Sequence, residues 1–207
     1  MPPIVSDEYK EKKRKEILES AFEAFGEKGF QISTIDDIVS ISGMSKGAIY
    51  NYFESKEDIY LQLMNMRTDQ DFAKIDKQFE GMKTATEKLM YLFSVYTKAE
   101  SNPKWQNSIR VHIEFWITSS RQEELQKLMI DRYNQKYLSY LENVLQEGIN
   151  RGEFHENCDP RLVASLFWGI IDGVCLHYSV IGEHYAYKEI IKKAEEIIFH
   201  YLMTIKE

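Results

Sequence analysis

The fold of this chain is decided by the stretch Thr34-Ile-Asp-Asp-Ile-Val-Ser-Ile-Ser-Gly-Met-Ser-Lys-Gly-Ala-Ile-Tyr-Asn-Tyr-Phe53. Its apolar residues recur at helical spacing on both sides of a glycine, which predicts two short helices. Thr34 and Asp37 can form a capping box on the first helix, and Ser45 can cap the second. Gly43 supplies the left-handed backbone that a tight turn between helices needs. This pattern is typical of a helix-turn-helix, whose second helix normally enters the DNA major groove.

Helical periodicity continues on both sides of this stretch, and no segment shows the sustained alternation of a strand. One helix is predicted before it, over residues 9–28. Six more are predicted after it, from Ser55 to Gly81, from Thr84 to Asn102, from Pro103 through Trp116, from Arg121 to Asn150, from Pro160 to Ile181 and from Tyr187 to Ile205. The sequence therefore predicts an all-α fold of nine helices. Residues 1–58 would form a helix-turn-helix DNA-binding head, and residues 59–207 a helical body for ligand binding and dimerisation.

Composition and charge exclude several classes of protein. The formal net charge is −7, which argues against a protein that coats nucleic acid, so DNA binding would depend on basic residues clustered on one face. The two cysteines have no zinc-site spacing, and nothing resembles a signal peptide, so a cytoplasmic location is expected. The apolar segment from Leu162 to Gly182 contains Asp172 and His177, which favours a buried core helix over a membrane span.

A long pattern covers the first sixty or so residues. It consists of Ala24-Phe25 and Gly29-Phe30, then Thr34-Ile-Asp-Asp-Ile38, Ser42-Gly-Met-Ser-Lys-Gly47 and Ile49-Tyr-Asn-Tyr-Phe-Glu-Ser-Lys-Glu-Asp58. In this pattern the chain resembles the TetR family of bacterial transcriptional regulators, whereas the remainder is similar mainly in helix count. The resemblance implies a homodimer whose heads bind consecutive major grooves of a palindromic operator, and a small-molecule inducer that releases the DNA. It implies repression most often, with activation left open.

Residues around the predicted recognition helix are candidates for DNA contact. The first backbone N–H groups of a helix favour a phosphate, and a lysine there can instead reach a guanine edge. An alanine can touch a thymine methyl, an asparagine can read adenine, and tyrosine hydroxyls can bind phosphates. The candidates are Thr34, Ser45, Lys46, Gly47, Ala48, Tyr50, Asn51, Tyr52 and Lys56. Core packing for Tyr52 and solvation for Lys56 are the alternatives. Lys12, Lys13 and Arg14 are equally consistent with ion pairs to Glu11 and Glu16.

The body is rich in aromatic residues spread over several helices. A group of this size with a few polar residues is what an apolar ligand pocket needs, although any one ring could simply pack in the core. The predicted pocket residues are Phe93, Tyr96, Trp105, His112, Trp116, Tyr137, Tyr140, Trp168 and Asp172. If buried, Asp172 would need a partner, which favours a lipophilic ligand that is cationic or forms hydrogen bonds.

The last two long helices are predicted to form the dimer surface. Two glycines spaced by four allow another helix to approach closely, and the final helix carries an apolar stripe. The predicted interface residues are Gly169, Gly173, Ile190, Ile197, Ile198 and Leu202. Packing inside the subunit is the alternative for part of this stripe.

Two other functions are alternatives to gene regulation. A di-iron enzyme on a helical bundle needs Glu-x-x-His pairs, whereas Glu196 and His200 are one residue too far apart. No zinc motif, phosphate-binding glycine loop or nucleophile elbow occurs, so no enzymatic activity, metal or cofactor is expected. The second alternative is a helical adaptor with a decayed DNA head, against which the intact Ser45-Lys-Gly47 and Tyr50 argue.

Overall fold

The computed structural model describes residues 6–98 and 103–203, and all regular elements in these ranges are helical. The α-helices are α1 (Asp7–Lys28), α2 (Ile35–Ser42), α3 (Lys46–Tyr50), α4 (Lys56–Phe79), α5 (Ala85–Thr97), α6 (Pro103–Ser119), α7 (Glu123–Arg132), α8 (Ser139–Asn150), α9 (Pro160–Ile181) and α10 (Tyr187–Met203). The predicted cap Asn102 and the predicted helix end Ile205 lie outside the described residues.

The helix predicted from Arg121 to Asn150 differs from the expected uninterrupted α-helix. A π-helical turn, Tyr133–Leu138, joins α7 to α8, and the N–H of Ser139 reaches back to the carbonyl of Asn134. The three segments form one continuous rod. When this rod is counted once, the described residues contain nine helices, which confirms the predicted all-α architecture.

The chain divides into two compact units between Lys74 and Ile75. The first unit, which we call the head, contains α1 to α3 and most of α4. Its core holds Phe25, Phe30 and Tyr60, whose ring centroids lie 5.3–6.1 Å apart. The sequence placed the boundary after residue 58. The head extends further because α4 contributes buried residues such as Tyr60 and Leu63 to it.

The second unit, the body, is organised around α9, which packs against α6, α8 and α10. Its residues Phe167 and Trp168 are buried, and Phe167 meets Phe93 of α5 with ring centroids 4.9 Å apart. The segment Pro160–His184 is long and apolar enough to cross a membrane by length and composition alone. Because it packs against three helices of the body, and a single such segment is weak evidence, this segment is not a membrane signal.

Candidate functional site

The turn between α2 and α3 has the geometry that the sequence predicts. Thr34 and Asp37 form the capping box on α2, and Gly43 adopts the left-handed conformation with φ 66° and ψ 8°. The Ser45 hydroxyl accepts a hydrogen bond of 3.2 Å from the N–H of Ala48 and so caps α3. Ile49 is fully buried and anchors α3 in the head. The opposite face of α3 is thereby turned outward.

That outward face carries most of the predicted DNA contacts. Ser45, Lys46, Gly47, Tyr50 and Asn51 are exposed, and Ala48 and Tyr52 are partly exposed. Lys46 Nζ lies 3.1 Å from a carboxylate oxygen of Asp36, a surface pair of the kind that contributes little and can exchange for a phosphate. A Cβ added at Gly47 would meet no atom within 4 Å. Packing within the chain therefore does not require a glycine there.

Thr34 is exposed but engaged in capping. Its N–H and its hydroxyl each donate to Asp37 over 2.8 Å, and the hydroxyl accepts from the N–H of Asp37. The Lys28 ammonium and these Thr34 donors lower the pKa of Asp37 to about 2. Thr34 thus orients the start of α2, and a phosphate would have to share its hydroxyl with Asp37.

Lys56 has a different environment from the one that a DNA contact would need. Its ammonium donates to the carbonyls of Phe30, Gln31 and Ser33 at 2.8, 3.3 and 2.9 Å, and it lies 4.5 Å from the centroid of the Phe30 ring. An ammonium has three donors. All three are used within the head, so the predicted phosphate contact of Lys56 is replaced here by a structural one.

The basic residues of α1 are largely paired. Lys13 bonds to Glu16 at 2.6 Å and Lys15 lies 3.8 Å from Glu19. Arg14 donates to Gln62 and lies 5.3 Å from the centroid of the Phe53 ring. For Lys13 this favours the alternative of an ion pair with Glu16, whereas Arg14 bonds to the neutral Gln62 and to neither predicted glutamate.

The body contains a cleft of 380 Å³ between α6, α7, the π-turn and α9, which we call the body cleft. Its apolar wall consists of Trp116, Met129, Ile130, Tyr133 and Gly169, and its polar wall of Ser119, Ser120, Gln126 and Asp172. Of the predicted ligand residues, only Trp116 and Asp172 line it. Gly169, predicted for the dimer surface, lines it too. The α7 residues were missed because the sequence does not say which side of that helix faces α9.

The other predicted ligand residues lie elsewhere in the body. Phe93, Tyr96, Tyr137 and Trp168 pack around Phe167 or each other, and the Trp168 indole donates to the carbonyl of Tyr137 at 3.0 Å. These four side chains therefore pack against one another and Phe167, which is the alternative to a place in the ligand pocket.

Three further predicted residues lie away from that aromatic core. Trp105 borders a smaller cleft with Tyr178 and Tyr187. The hydroxyl of Tyr140 donates to Asp76 at 2.7 Å. His112 lies beside Trp116, and burial, helped by Arg132, lowers its pKa to about 4, so its imidazole is neutral at pH 7.

Two polar groups of the body cleft have no hydrogen-bond or ion-pair partner among the described residues. Asp172, for which the sequence predicts a partner if it is buried, is exposed and makes no hydrogen bond or ion pair to any residue in the described ranges. Neighbouring protein atoms displace enough water to raise the pKa of its carboxyl to about 6. The buried indole N–H of Trp116 likewise donates to no acceptor among the described residues. The part of the chain that the structure describes contains no cluster of His, Cys, Asp and Glu suited to a metal.

The predicted dimer residues fall into two groups. Gly169 and Ile197 are exposed and Gly173 and Ile190 are partly exposed, whereas Ile198 and Leu202 are buried within the subunit. The prediction for Ile198 and Leu202 was wrong, because the sequence of α10 does not say which of its apolar residues face the subunit core. Exposed apolar residues that the sequence missed continue the surface, namely Leu162, Leu166, Leu176 and Val180 on α9 and Tyr201 on α10.

Comparison with known proteins gives consistent matches over most of the chain. Residues 17–63 match the family described as "Bacterial regulatory proteins, tetR family", and residues 98–187 match "Tetracyclin repressor-like, C-terminal domain". The HTH-type transcriptional regulator YfiR of Bacillus subtilis is 31% identical over 175 residues, which is 84% of this chain and 83% of that protein.

Two further matches also come from Bacillus subtilis. The fatty acid metabolism regulator protein of Bacillus subtilis is 29% identical over 163 residues, covering 79% of this chain and 81% of that protein. The crystal structure of the transcriptional regulator FadR from Bacillus subtilis in complex with stearoyl-CoA superposes with a TM-score of 0.74. It is 27% identical and covers 90% of this chain and 98% of that one.

Proposed function

Because this chain belongs to the TetR family of bacterial regulatory proteins, we propose that it is a cytoplasmic repressor that binds a palindromic operator as a homodimer and releases it on binding a small lipophilic ligand. The family membership confirms the resemblance seen in the sequence. The chain is accordingly a helix-turn-helix regulator of transcription and not an enzyme.

The observation that carries the proposal is the outward face of α3. Lys46, Gly47 and Tyr50 are exposed, while the neighbouring Ile49 is buried and fixes the orientation of the helix. A lysine and a tyrosine on such a helix supply a cation and a hydroxyl for phosphates or base edges. A glycine between them lets the helix backbone approach DNA closely.

The proposed homodimer is supported by the exposed apolar surface of α9 and α10. Leu162, Leu166 and Val180 lie on one side of α9, and Ile197 and Tyr201 extend the exposed surface to α10. Contiguous exposed apolar patches usually mark an interaction surface. In a symmetric dimer the same patch is used by both copies, and two related heads then require an operator with matching symmetry.

The proposed ligand site is the body cleft. Its 380 Å³ volume falls within the range of about 300–1,000 Å³ of small-molecule sites, and most of its wall is apolar or aromatic. The related FadR structure was solved with stearoyl-CoA, which supports a ligand with an apolar body for this chain as well.

The DNA-binding proposal is tested by a mobility-shift titration with the DNA upstream of the gene. Lys46→Ala and Tyr50→Ala are each expected to weaken binding by about 1–3 kcal/mol per lost contact, with the dimer unchanged. Lys127→Ala, which removes an exposed lysine from α7 of the body, serves as the control. Unchanged affinity in both α3 variants would refute the assignment of α3 as the recognition helix.

The dimer proposal is tested by analytical ultracentrifugation of Gly173→Asp. A Cβ at this position meets no atom within 4 Å in the subunit, so the chain itself tolerates a side chain there. We expect the variant to be folded and largely monomeric because two buried carboxylates would face each other across the interface. A fully dimeric variant would move the interface to another surface.

A further inference from the structure

The body cleft has an unusual balance of charge. Among the described residues, its lining includes one carboxyl, that of Asp172, and neither lysine nor arginine. We propose that this cleft binds a lipophilic organic cation, an ammonium group on an alkyl or aryl body, with Asp172 as its counter-ion. The inference rests on the proposed ligand site and goes beyond it by naming the charge of the ligand.

The first support is that Asp172 lacks a partner. Its carboxyl reaches the cleft and makes no hydrogen bond or ion pair with a described residue, although α6, α7 and α9 surround the site. A carboxylate in a partly desolvated position is stabilised by an opposite charge. At pH 7 a carboxyl with a pKa of about 6 is mostly ionised, so it can bind a cation without first losing a proton.

The second support is the aromatic wall beside the carboxylate. The rings of Trp116 and Tyr133 both line the cleft, with centroids 6.0 Å apart and planes at 87°. Ring faces of Trp and Tyr attract ammonium groups, and the attraction grows when water is excluded. Met129 and Ile130 continue the wall with apolar surface suited to an alkyl or aryl body.

The third support is the indole N–H of Trp116, which is buried without an acceptor in the described ranges. Buried donors in native proteins are nearly always paired. A ligand that carries an acceptor atom near its ammonium, such as an ether or hydroxyl oxygen, would supply the missing partner after a small movement of the indole.

The same charge balance disfavours an anionic ligand. A carboxylate or phosphate head in the body cleft would be repelled by Asp172 and would find no cationic side chain among the described residues of its lining. Stearoyl-CoA, the ligand in the related FadR structure, carries phosphates that need cationic partners, so the body cleft is poorly suited to that end of the molecule. We therefore expect an order of affinity in which ammonium exceeds alcohol, and alcohol exceeds carboxylate, on the same alkyl chain.

The test is isothermal titration calorimetry of the full-length protein at pH 7.5 with decylammonium, decanol, decanoate and stearoyl-CoA. Decylammonium is expected to bind about 10-fold or more tightly than decanol, the effect of one charge-assisted contact. Decanoate and stearoyl-CoA are expected to bind more weakly than decanol. Tighter binding of either anion, or no binding of decylammonium at millimolar concentration, would overturn the proposal.

Substitutions assign the effect to the cleft. Asp172→Asn is expected to lose the roughly 10-fold preference for decylammonium and to keep the affinity for decanol, whereas Asp172→Glu should retain most of that preference. Asp131→Asn removes an exposed carboxylate from α7 that does not line the cleft, and it should change nothing. If Asp172→Asn binds decylammonium as tightly as the unmodified protein, the cation binds elsewhere and the assignment is wrong.

The outcome is separable from that of the proposed repressor function. The titrations contain no DNA, so a protein that fails to bind its upstream DNA can still show the predicted order of affinities. Conversely, a protein that binds its operator but prefers stearoyl-CoA to decylammonium would keep the repressor proposal and refute this one.

Discussion

The head and the body present their candidate sites in opposite ways. In the head, a five-residue helix is fixed by the buried Ile49 and exposes polar groups on its other side. In the body, α6, α7 and α9 must meet before the cleft exists. The Asp172 carboxyl and the Trp116 indole N–H lie there without a hydrogen-bond partner among the described residues. The head site depends on contacts close in sequence, whereas the body site depends on packing between distant segments. Four substitution pairs measure this difference.

The largest effect is expected in the head core. Phe30→Ala removes a ring that is 2% exposed and packs on Phe25 and Tyr60, and it should cost about 3–5 kcal/mol of stability. Urea denaturation followed by circular dichroism measures this cost. Ile32→Ala, at a position that is 74% exposed, is the control and should change stability by less than about 0.5 kcal/mol. Equal costs for the two variants would contradict the core assignment.

The next effect is expected in the body. Gly148 lies against the buried ring of Phe154, and a Cβ there would come closer than real contacts allow. Gly148→Ala should therefore destabilise the protein by about 1–3 kcal/mol through overpacking. Gly47→Ala is the helical control, because a Cβ meets nothing within 4 Å there, and without DNA it should be neutral or stabilising. In thermal unfolding, the midpoint temperature should fall for Gly148→Ala and should stay the same or rise for the control.

Lys56 and Lys46 test whether a lysine of the head serves the fold or the DNA. Lys56→Met should cost about 1–2 kcal/mol of stability, because three backbone carbonyls lose a charged donor. Lys46→Met should leave stability nearly unchanged and instead weaken operator binding and reduce its salt dependence. Both variants are measured for stability and for operator affinity. If Lys56→Met changed only the affinity, the structural role of Lys56 would be refuted.

The smallest effect is expected at two capping boxes, one in the head and one in the body. The capping boxes of Thr34 with Asp37 and of Thr84 with Glu87 share the two reciprocal hydrogen bonds between the cap and the third helical residue. Thr34→Ala and Thr84→Ala should each cost about 1 kcal/mol, because an N-cap acts locally. Chemical denaturation of the single variants gives both values. A cost several times larger in one unit would mean that the cap there also supports tertiary packing.

The sequence predicted the head in detail because its signals are local. The cap at Thr34, the turn at Gly43 and the cap at Ser45 lie within a few residues of their partners, and the structure confirms all three. The structural contact of Lys56 was missed, because its carbonyl partners lie more than twenty residues earlier. Nothing in the sequence around Lys56 indicates that these carbonyls are close to it in space.

The body shows the limit of the same reasoning. Helix positions were predicted from apolar periodicity, yet the lining of the body cleft was not, because a stripe does not say which helix it will face. Ile198 and Leu202 were predicted for the dimer surface and are buried within the subunit, and of the two predicted pocket residues on α9 Asp172 lines the cleft whereas Trp168 packs in the core. Each depends on how α9 and α10 are rotated about their axes, which long-range packing decides.

The π-turn at Tyr133–Leu138 has a consequence for how the chain tolerates change in length. Such turns accommodate one residue more than a regular helix of the same rise. Loss of one residue here, such as the exposed Gln135, would restore ordinary α-helical register and leave α8 facing the same way. Loss of one residue within α8 would rotate the remainder by about 100° and turn Leu145 away from the core. The rod therefore contains a single place where evolution could shorten it without rebuilding its surroundings.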